Sequence, residues 1–336
     1  MKKILSLWLL LSFFTLSGSS LKTLRNNTAE VISIMGKGKY SCLLCGFDNA
    51  SSNTDTIIIA TYDSLNNTIT FVHIPRDTYY NFGSCQNKIN QISPSIVSKE
   101  KSLNDGLATL SSNISNSLAV DIDGFTGFTD VAVANLVDIV GGVNINVPID
   151  ITGRDFDGNV IEIKQGKQLL SGREALVLLR HRSSYALGDL TRIDMQKLFL
   201  SAFVNDFFDN LDITRALKLL NTKDNGVVSN VNFVELLAFA MKNLGRIKNA
   251  SVKFATIPGK AIVSSDGISY FLLNKISTVN LLSDLEISNK SDFDSNLRYL
   301  FSPDVTYQKI YYSTEIKYKI YSGEELNSLN FIQNDF

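Results

Sequence analysis

Apolar and β-branched residues cluster or alternate over Ser41–Gly46, Thr54–Tyr62 and Thr68–Ile74, which predicts three short strands. Asn66-Asn67 supplies a turn between the last two, giving a hairpin-like pair, and Pro75 stops the third. Helical periodicity runs over Leu103–Asn116 and again over Phe128–Val140, where Gly141-Gly142 ends it. A strand is expected between those helices at Ala119–Phe125, and another at Asn144–Val147. Ser171-Gly172-Arg173-Glu174 has capping-box spacing and opens a short helix to about Leu178. The longest amphipathic stretch is Leu190–Leu211, with Ile193, Phe199, Phe203 and Phe207 among its apolar positions. Val234–Leu244 reads as a helix and Ser251–Ile257 as a strand before Pro258-Gly259. Strands alternating with helices predict an α/β or mixed layered fold.

The ends of the chain differ from this middle. Lys2 and Lys3 precede an uncharged stretch, Ile4–Leu21, closed by Lys22. Eighteen helical residues span about 27 Å, enough for the hydrocarbon core of a bilayer. The lysine pair stays inside, which sends the rest of the chain out of the cytoplasm. Small residues at Ser17-Gly18-Ser19-Ser20 also suit a cleaved signal peptide, so residues 1–21 are a signal-anchor or a leader. Residues 22–39 read as a linker and 40–285 as the folded domain. Residues 286–336, richer in Ser, Asn, Asp and Tyr, form a C-terminal extension with a strand or two around Val305–Tyr321 as an appendage.

Composition narrows the chemistry. Hydrophobic residues are 44% and charged ones 19%, as in globular proteins. A net charge of −1 advertises neither nucleic acid nor an anionic surface as a partner, so any anion site is local. Arg180, Arg182 and Arg192 fall within thirteen residues, and local arginine suggests planar, bidentate donors; chance plus salt bridging is the competing account. Cys42-x-x-Cys45 has redox or zinc spacing, but on a strand positions three apart face opposite ways and no second pair completes a zinc site. Ordinary buried thiols are expected there.

Four stretches carry candidate chemistry. Leu44-Cys45-Gly46-Phe47-Asp48 puts a carboxylate just after a strand, and Asn53-Thr54-Asp55-Thr56 puts one just before the next. Ile74-Pro75-Arg76-Asp77-Thr78 sets an Arg-Asp pair where a buried strand ends, and ligands of open α/β sheets sit beyond strand ends. The bland alternative is turn carboxylates and a surface ion pair. In Leu179-Arg180-His181-Arg182, an extended chain points both guanidinium groups the same way. Gly188-Asp189-Leu190-Thr191-Arg192 opens the long helix, where Arg192 and Gln196 lie one turn apart on one face. Free N–H groups and the dipole favour an anion at such a helix start. Phe199 and Phe203 continue the stripe, which suits either a core face or a ligand with a charged head and an apolar tail.

In this order the motifs resemble the LytR-CpsA-Psr family: Leu44–Asp48, Asp55-Thr56, Ile74–Thr78, Lys88-Ile89-Asn90, Arg180-His181-Arg182, Gly188-Asp189 and Arg192-x-x-x-Gln196. Phe125 and the run Gly141–Pro148 are also similar, and the likeness covers about residues 40–285. Members commonly have Arg where this chain has Asn53, so one phosphate contact is expected to be missing or supplied from elsewhere. The segment after Asn90 also lacks the usual small, Tyr-containing run.

The resemblance implies an α/β/α layered sandwich around a central mixed sheet, preceded by an apolar N-terminal helix. It implies a bacterial membrane enzyme that moves a glycopolymer from a polyprenyl pyrophosphate carrier onto peptidoglycan through a phosphodiester. Arg76, Arg180, Arg182 and Arg192 are then expected on the pyrophosphate, with Lys88, Gln196, Asp189, Phe199 and Phe203 binding substrate. Asp48 and Asp55 would hold Mg²⁺ or Mn²⁺, and Asp77, then Asp55, are the candidate bases. Two rivals stand beside this reading. A lipid pyrophosphate hydrolase would release product without peptidoglycan, and a regulatory binder would hold the lipid without turnover.

Overall fold

The computed structural model describes residues 38–47, 52–81, 87–99, 101–182, 189–210, 212, 214–215, 218, 226–264, 267–288, 315–329 and 331. The apolar stretch 4–21, Asp48 and Cys85 lie outside them; among the described residues no helix is long and apolar enough to cross a membrane. Strands β1 (Lys39–Phe47), β2 (Thr54–Asp63) and β3 (Thr68–His73) make an antiparallel meander where the pattern predicts it. A 3-10 turn (Ile89–Gln91) leads into α1 (Ile92–Val97), and Ser102 with Asp105 caps α2 (Leu103–Leu118).

The next strand is displaced from its expected place. Ala119, at a left-handed φ of 49°, closes α2, and buried Val120 anchors a loop rather than a strand. A short apolar run does not by itself tell a buried loop from a strand. Strand β4 is Gly124–Phe128, and Thr129 caps α3 (Asp130–Val140) by accepting from the Ala132 N–H. Gly141 and Gly142 then turn the chain at φ 101° and 98°. A Cβ on Gly142 would lie 2.9 Å from the Leu170 carbonyl, so the turn into β5 (Val143–Val147) requires glycine. Strands β6 (Ile151–Arg154), β7 (Val160–Ile163) and β8 (Gly166–Leu170) were not predicted; at four or five residues they are too short for a clear alternation. They form an outer ribbon, β5 with β8 and β6 with β7.

Helix α4 (Gly172–Arg180) opens on the expected Ser171–Glu174 capping box, and α5 (Asp189–Asn210) is the long helix. After these come β9 (Val227–Ser229), α6 (Phe233–Lys242), α7 (Leu244–Ile247) and β10 (Ser251–Thr256). Strands β11 (Gly259–Val263) and β12 (Ser269–Leu273) precede α8 (Lys275–Asp284). Strands β13 (Glu315–Ile316) and β14 (Ile320–Ser322) and helix α9 (Gly323–Leu326) complete the order.

Seven strands form one mixed sheet in the order β14-β10-β3-β2-β1-β4-β9. Because β4 is parallel to β1 and β10 to β3, the C-terminal ends of those four strands share one edge with the start of β2. Alternation divides the side chains between two cores. Leu43, Cys45, Ile59 and Val72 pack on one face with Leu107 of α2 and Leu281 of α8. Ile58, Phe71 and Phe254 pack on the other with Val177 of α4 and Met195 and Leu198 of α5. This is the expected α/β/α sandwich.

The C-terminal residues correct a second expectation. Strand β14 pairs with β10 at the sheet edge, β13 pairs with β11, and Leu326 is fully buried in the core beneath α5. Residues 315–331 therefore belong to the domain and do not form an appendage. Two- and three-residue strands in a polar stretch carry too little pattern to show this in the sequence.

Candidate functional site

The shared sheet edge collects the charged motifs. Arg76 emerges after β3 and Pro75, and its guanidinium donates to Asp55 Oδ1 at 2.7 Å. Arg192, only 4% exposed in the first turn of α5, donates to the backbone carbonyl of Asp55 at 3.1 Å. One turn later Gln196 Nε2 donates to Thr56 Oγ1, also at 3.1 Å. The polar face of α5 is thereby fastened to the start of β2, with its N-terminal end at the same edge. Lys88 donates to Asp77 at 3.0 Å and lies 5.7 Å from the Tyr270 ring centroid. Arg180 donates to Asp130 at 2.9 Å, and Asp130 follows β4 at this edge. Three cations are thus each matched to a carboxylate.

The arginine geometry differs from the expected one. Arg180 is the last residue of α4, and the chain turns extended only at His181, so Arg180 and Arg182 do not share a strand face. Leu179 and Arg180 continue the helix past its expected end, and Arg180 reaches the sheet edge through Asp130 instead. Arg182 is half-buried just beyond. The backbone of Asp189 begins α5, while its side chain, like Asp48, lies outside what is described. Asn53 Oδ1 accepts from Gln91 Nε2 at 3.2 Å, which ties the start of β2 to the start of α1. Behind the edge, burial and then the charge of Lys197 push His73 down to about 3, so its ring is neutral and supplies no cation.

A hollow of about 390 Å³ lies between the sheet and helices α5 and α6. Leu44, Ala60 and Phe71 line it from the sheet, Phe203 and Phe207 from α5, and Phe239 from α6. Rings along α5 succeed one another, Phe199 to Phe203 at 6.1 Å and Phe203 to Phe207 at 5.8 Å. Phe203 lines the hollow. Phe199 does not; it is buried in the core with Met195 and Leu198. The helical stripe already contained Phe207, but the sheet and α6 contributors were hidden because a strand pattern does not say which residues a helix leaves uncovered. At about 1.5 Å per residue, Gln196 and Phe203 are roughly 10 Å apart along the helix. Cys42 faces this hollow and Cys45 the opposite core; both are free, and burial pushes Cys42 up to about 12 and Cys45 upward as well. Such thiols are inert at neutral pH, as the strand argument anticipated.

Fold and site define a layered α/β/α protein in which one helix, α5, runs from a cation-bearing sheet edge to an apolar hollow. The chain belongs to the LytR_cpsA_psr family, whose model matches residues 9–286. It is 28% identical over 238 residues to the polyisoprenyl-teichoic acid–peptidoglycan teichoic acid transferase TagV of Bacillus subtilis, covering 68% of this chain and 58% of that protein. It is 26% identical over 255 residues to the TagU transferase of Oceanobacillus iheyensis, covering 73% and 75%. The crystal structure of B. subtilis TagV matches with a TM-score of 0.61 at 22% identity, over 78% of this chain and 98% of that one. TagT bound to LIIa-WTA matches with a TM-score of 0.58 at 21% identity, over 75% and 91%. The structural likenesses show the fold.

Proposed function

We propose that the protein is an extracytoplasmic, membrane-attached phosphotransferase that moves a glycopolymer, a teichoic acid or another anionic polysaccharide, from a polyprenyl pyrophosphate carrier onto peptidoglycan. The observation that carries this reading is that a single helix presents Arg192 to the Asp55–Arg76 edge and Phe203 and Phe207 to the apolar hollow. An anionic head with a long apolar tail fits both halves, and nucleic acid fits neither. The names of TagV and TagU support the same reaction class.

Arg76, Arg180, Arg182 and Arg192 bind the pyrophosphate through charge-assisted hydrogen bonds, with Lys88 and Gln196 as further donors and Asp189 at the helix start beside them. Phe203 and Phe207 hold the first part of the tail. A peptidoglycan hydroxyl oxygen attacks the phosphorus that bears the glycan and forms the new P–O bond. The bond from that phosphorus to the bridging oxygen breaks, and polyprenyl phosphate leaves with the electron pair. The hydroxyl proton goes to a carboxylate. Asp77 is the first candidate and Asp55 the second, because phosphate competes for Lys88 and Arg76 and frees each carboxylate from its ion pair.

Mg²⁺ or Mn²⁺ fits the donor chemistry. Among the described residues no three His, Cys, Asp or Glu groups form a cage, whereas Mg²⁺ commonly takes one or two carboxylates and completes its shell with phosphate and water. Asp55, whose Oδ1 is held by Arg76, and Asp48 would hold it, and bound there it supplies charge neutralisation on the phosphates.

The test is reconstitution with a polyprenyl-pyrophosphate-linked glycan, Mg²⁺ and peptidoglycan. The expected products are glycan on peptidoglycan and one polyprenyl phosphate per transfer. Release of polyprenyl phosphate without peptidoglycan would make the protein a hydrolase, and tight binding without any product would make it a binder.

A further inference from the structure

Helix α5 carries two polar faces. Arg192 and Gln196 meet the sheet edge, as described above. Asp194, Lys197 and Ser201 lie about half a turn round the helix, at 100° per residue. That second face meets the C-terminal residues, which lie beyond the 9–286 span of the family match.

The contact is closely built. Lys197 is almost wholly buried, its side chain 3% exposed, and it pairs with Asp194 at 2.6 Å. Its ammonium also lies 4.6 Å from the centroid of the Tyr321 ring, while Lys319 lies 4.3 Å from the same centroid. Two ammonium groups on one ring make Tyr321 the point through which the segment meets α5. Tyr321 is fixed in turn, because β14 pairs with β10 in the register Phe254↔Tyr321. Ser322 then caps α9 in a capping box with Glu325. At Gly323 a Cβ would lie 2.7 Å from Ser201 Oγ, so the segment approaches the helix as closely as glycine permits. Leu326 and Phe331 close the end against the same core as Met195 and Leu198.

We propose that residues 315–331 are a positioning strap, which holds the far face of α5 through Tyr321, Lys197 and Gly323 and so fixes Arg192 and Gln196 for the anion. The inference rests on the proposed function for the nature of that anion. Lys197 and Tyr321 are positioning residues, since neither is among the groups placed on the phosphates.

The test uses the full chain and two probes, polyprenyl phosphate and inorganic pyrophosphate, titrated by calorimetry alongside thermal melts. Tyr321→Phe keeps the ring and binds like wild type. Tyr321→Ala weakens both probes about fivefold, on the order of the loss of one partly buried cation–π contact. In the double variant Tyr321→Ala/Gln196→Ala the losses are less than additive, because Gln196 has already lost its placement. Should Tyr321→Ala fail to fold, Tyr321→Leu and Lys197→Met carry the same comparison. Unchanged affinities in a variant with a lowered melting point, or losses that simply add, overturn the strap. Wild-type protein that binds neither probe overturns the functional reading and the strap with it.

Discussion

Two arginine–carboxylate clusters in this chain have the same chemistry and opposite characters. At the β6–β7 turn, Arg173 donates to both Asp155 and Asp157, the second at 2.6 Å, and stacks over Phe156 with 4.4 Å to the ring centroid. Asp155, with a side chain 2% exposed, also accepts backbone N–H bonds from Asp157 and Asn159. Both Asp155 oxygens are used internally, because Asn159 Nδ2 also donates to Oδ2, and this makes the cluster a staple of the turn. At the sheet edge, Arg76 bonds one oxygen of Asp55, whose side chain is 39% exposed, and Lys88 and Arg180 pair with Asp77 and Asp130, whose side chains are 25% and 46% exposed. Ion pairs to carboxylates that water already reaches leave donors that an anion can take over. The burial of Asp155 against the exposure of Asp55, Asp77 and Asp130, rather than the presence of arginine, separates the staple from the site.

The largest expected effect tests the edge. Arg76→Ala should lower glycan transfer by about 10²–10³-fold, the scale for removing a donor that meets developing charge. Its melting point should stay within a few degrees of wild type, and a collapse of folding would return Arg76 to structural duty. Arg173→Ala should do the reverse. Loss of its charged hydrogen bonds to Asp155 and Asp157 should lower the melting point by several degrees and leave transfer unchanged below it. A variant that melts normally but transfers poorly would erase the distinction.

Smaller effects sharpen the same contrast. Added pyrophosphate should raise the melting point of wild type and of Arg173→Ala by a similar margin, and that of Arg76→Ala by less. Last comes pH. Burial pushes the Asp155 carboxyl up, but bonds from Asn159, Arg173 and the backbone outweigh it and hold it at about 2, below its unfolded value. Stability from this group is complete above the unfolded value and is lost as pH falls through about 2. Between about pH 4 and pH 2, wild type should therefore lose more stability than Asp155→Asn, and parallel curves would remove Asp155 from the staple.

Much of the fold was legible because its longest elements have clear periods. The β1–β3 meander, the Ser171 cap and α5 stand within a residue or two of their expected places. Arg192, Gln196 and Phe203 were legible for the same reason, since one helical stripe orders all three. What stayed hidden depended on contacts between distant segments. Arg180 differs from its expected place because α4 runs two residues beyond the expected end near Leu178, and its reach to Asp130 sets its position. Phe199 shares the stripe of Phe203, yet packing against Met195 and Leu198 removes it from the hollow. The Asp130 partner of Arg180 and the seat of the C-terminal strand at the edge of the main sheet have no local signature, and only the closed sheet brings them into place.

In the proposed function one ligand spans the sheet edge and the hollow, head on Arg76 and tail on Phe207. Calorimetry of polyprenyl phosphates of increasing chain length, against wild type, Arg76→Ala and Phe207→Ala, tests it most directly. Affinity in wild type should rise with chain length and then level off as the hollow fills. Arg76→Ala should weaken every chain length by a similar factor, whereas Phe207→Ala should weaken only the longer chains, by about tenfold for a ring that loses its buried contact. Affinity that is independent of chain length, or a Phe207→Ala loss equally large for the shortest ligand, would contradict the account.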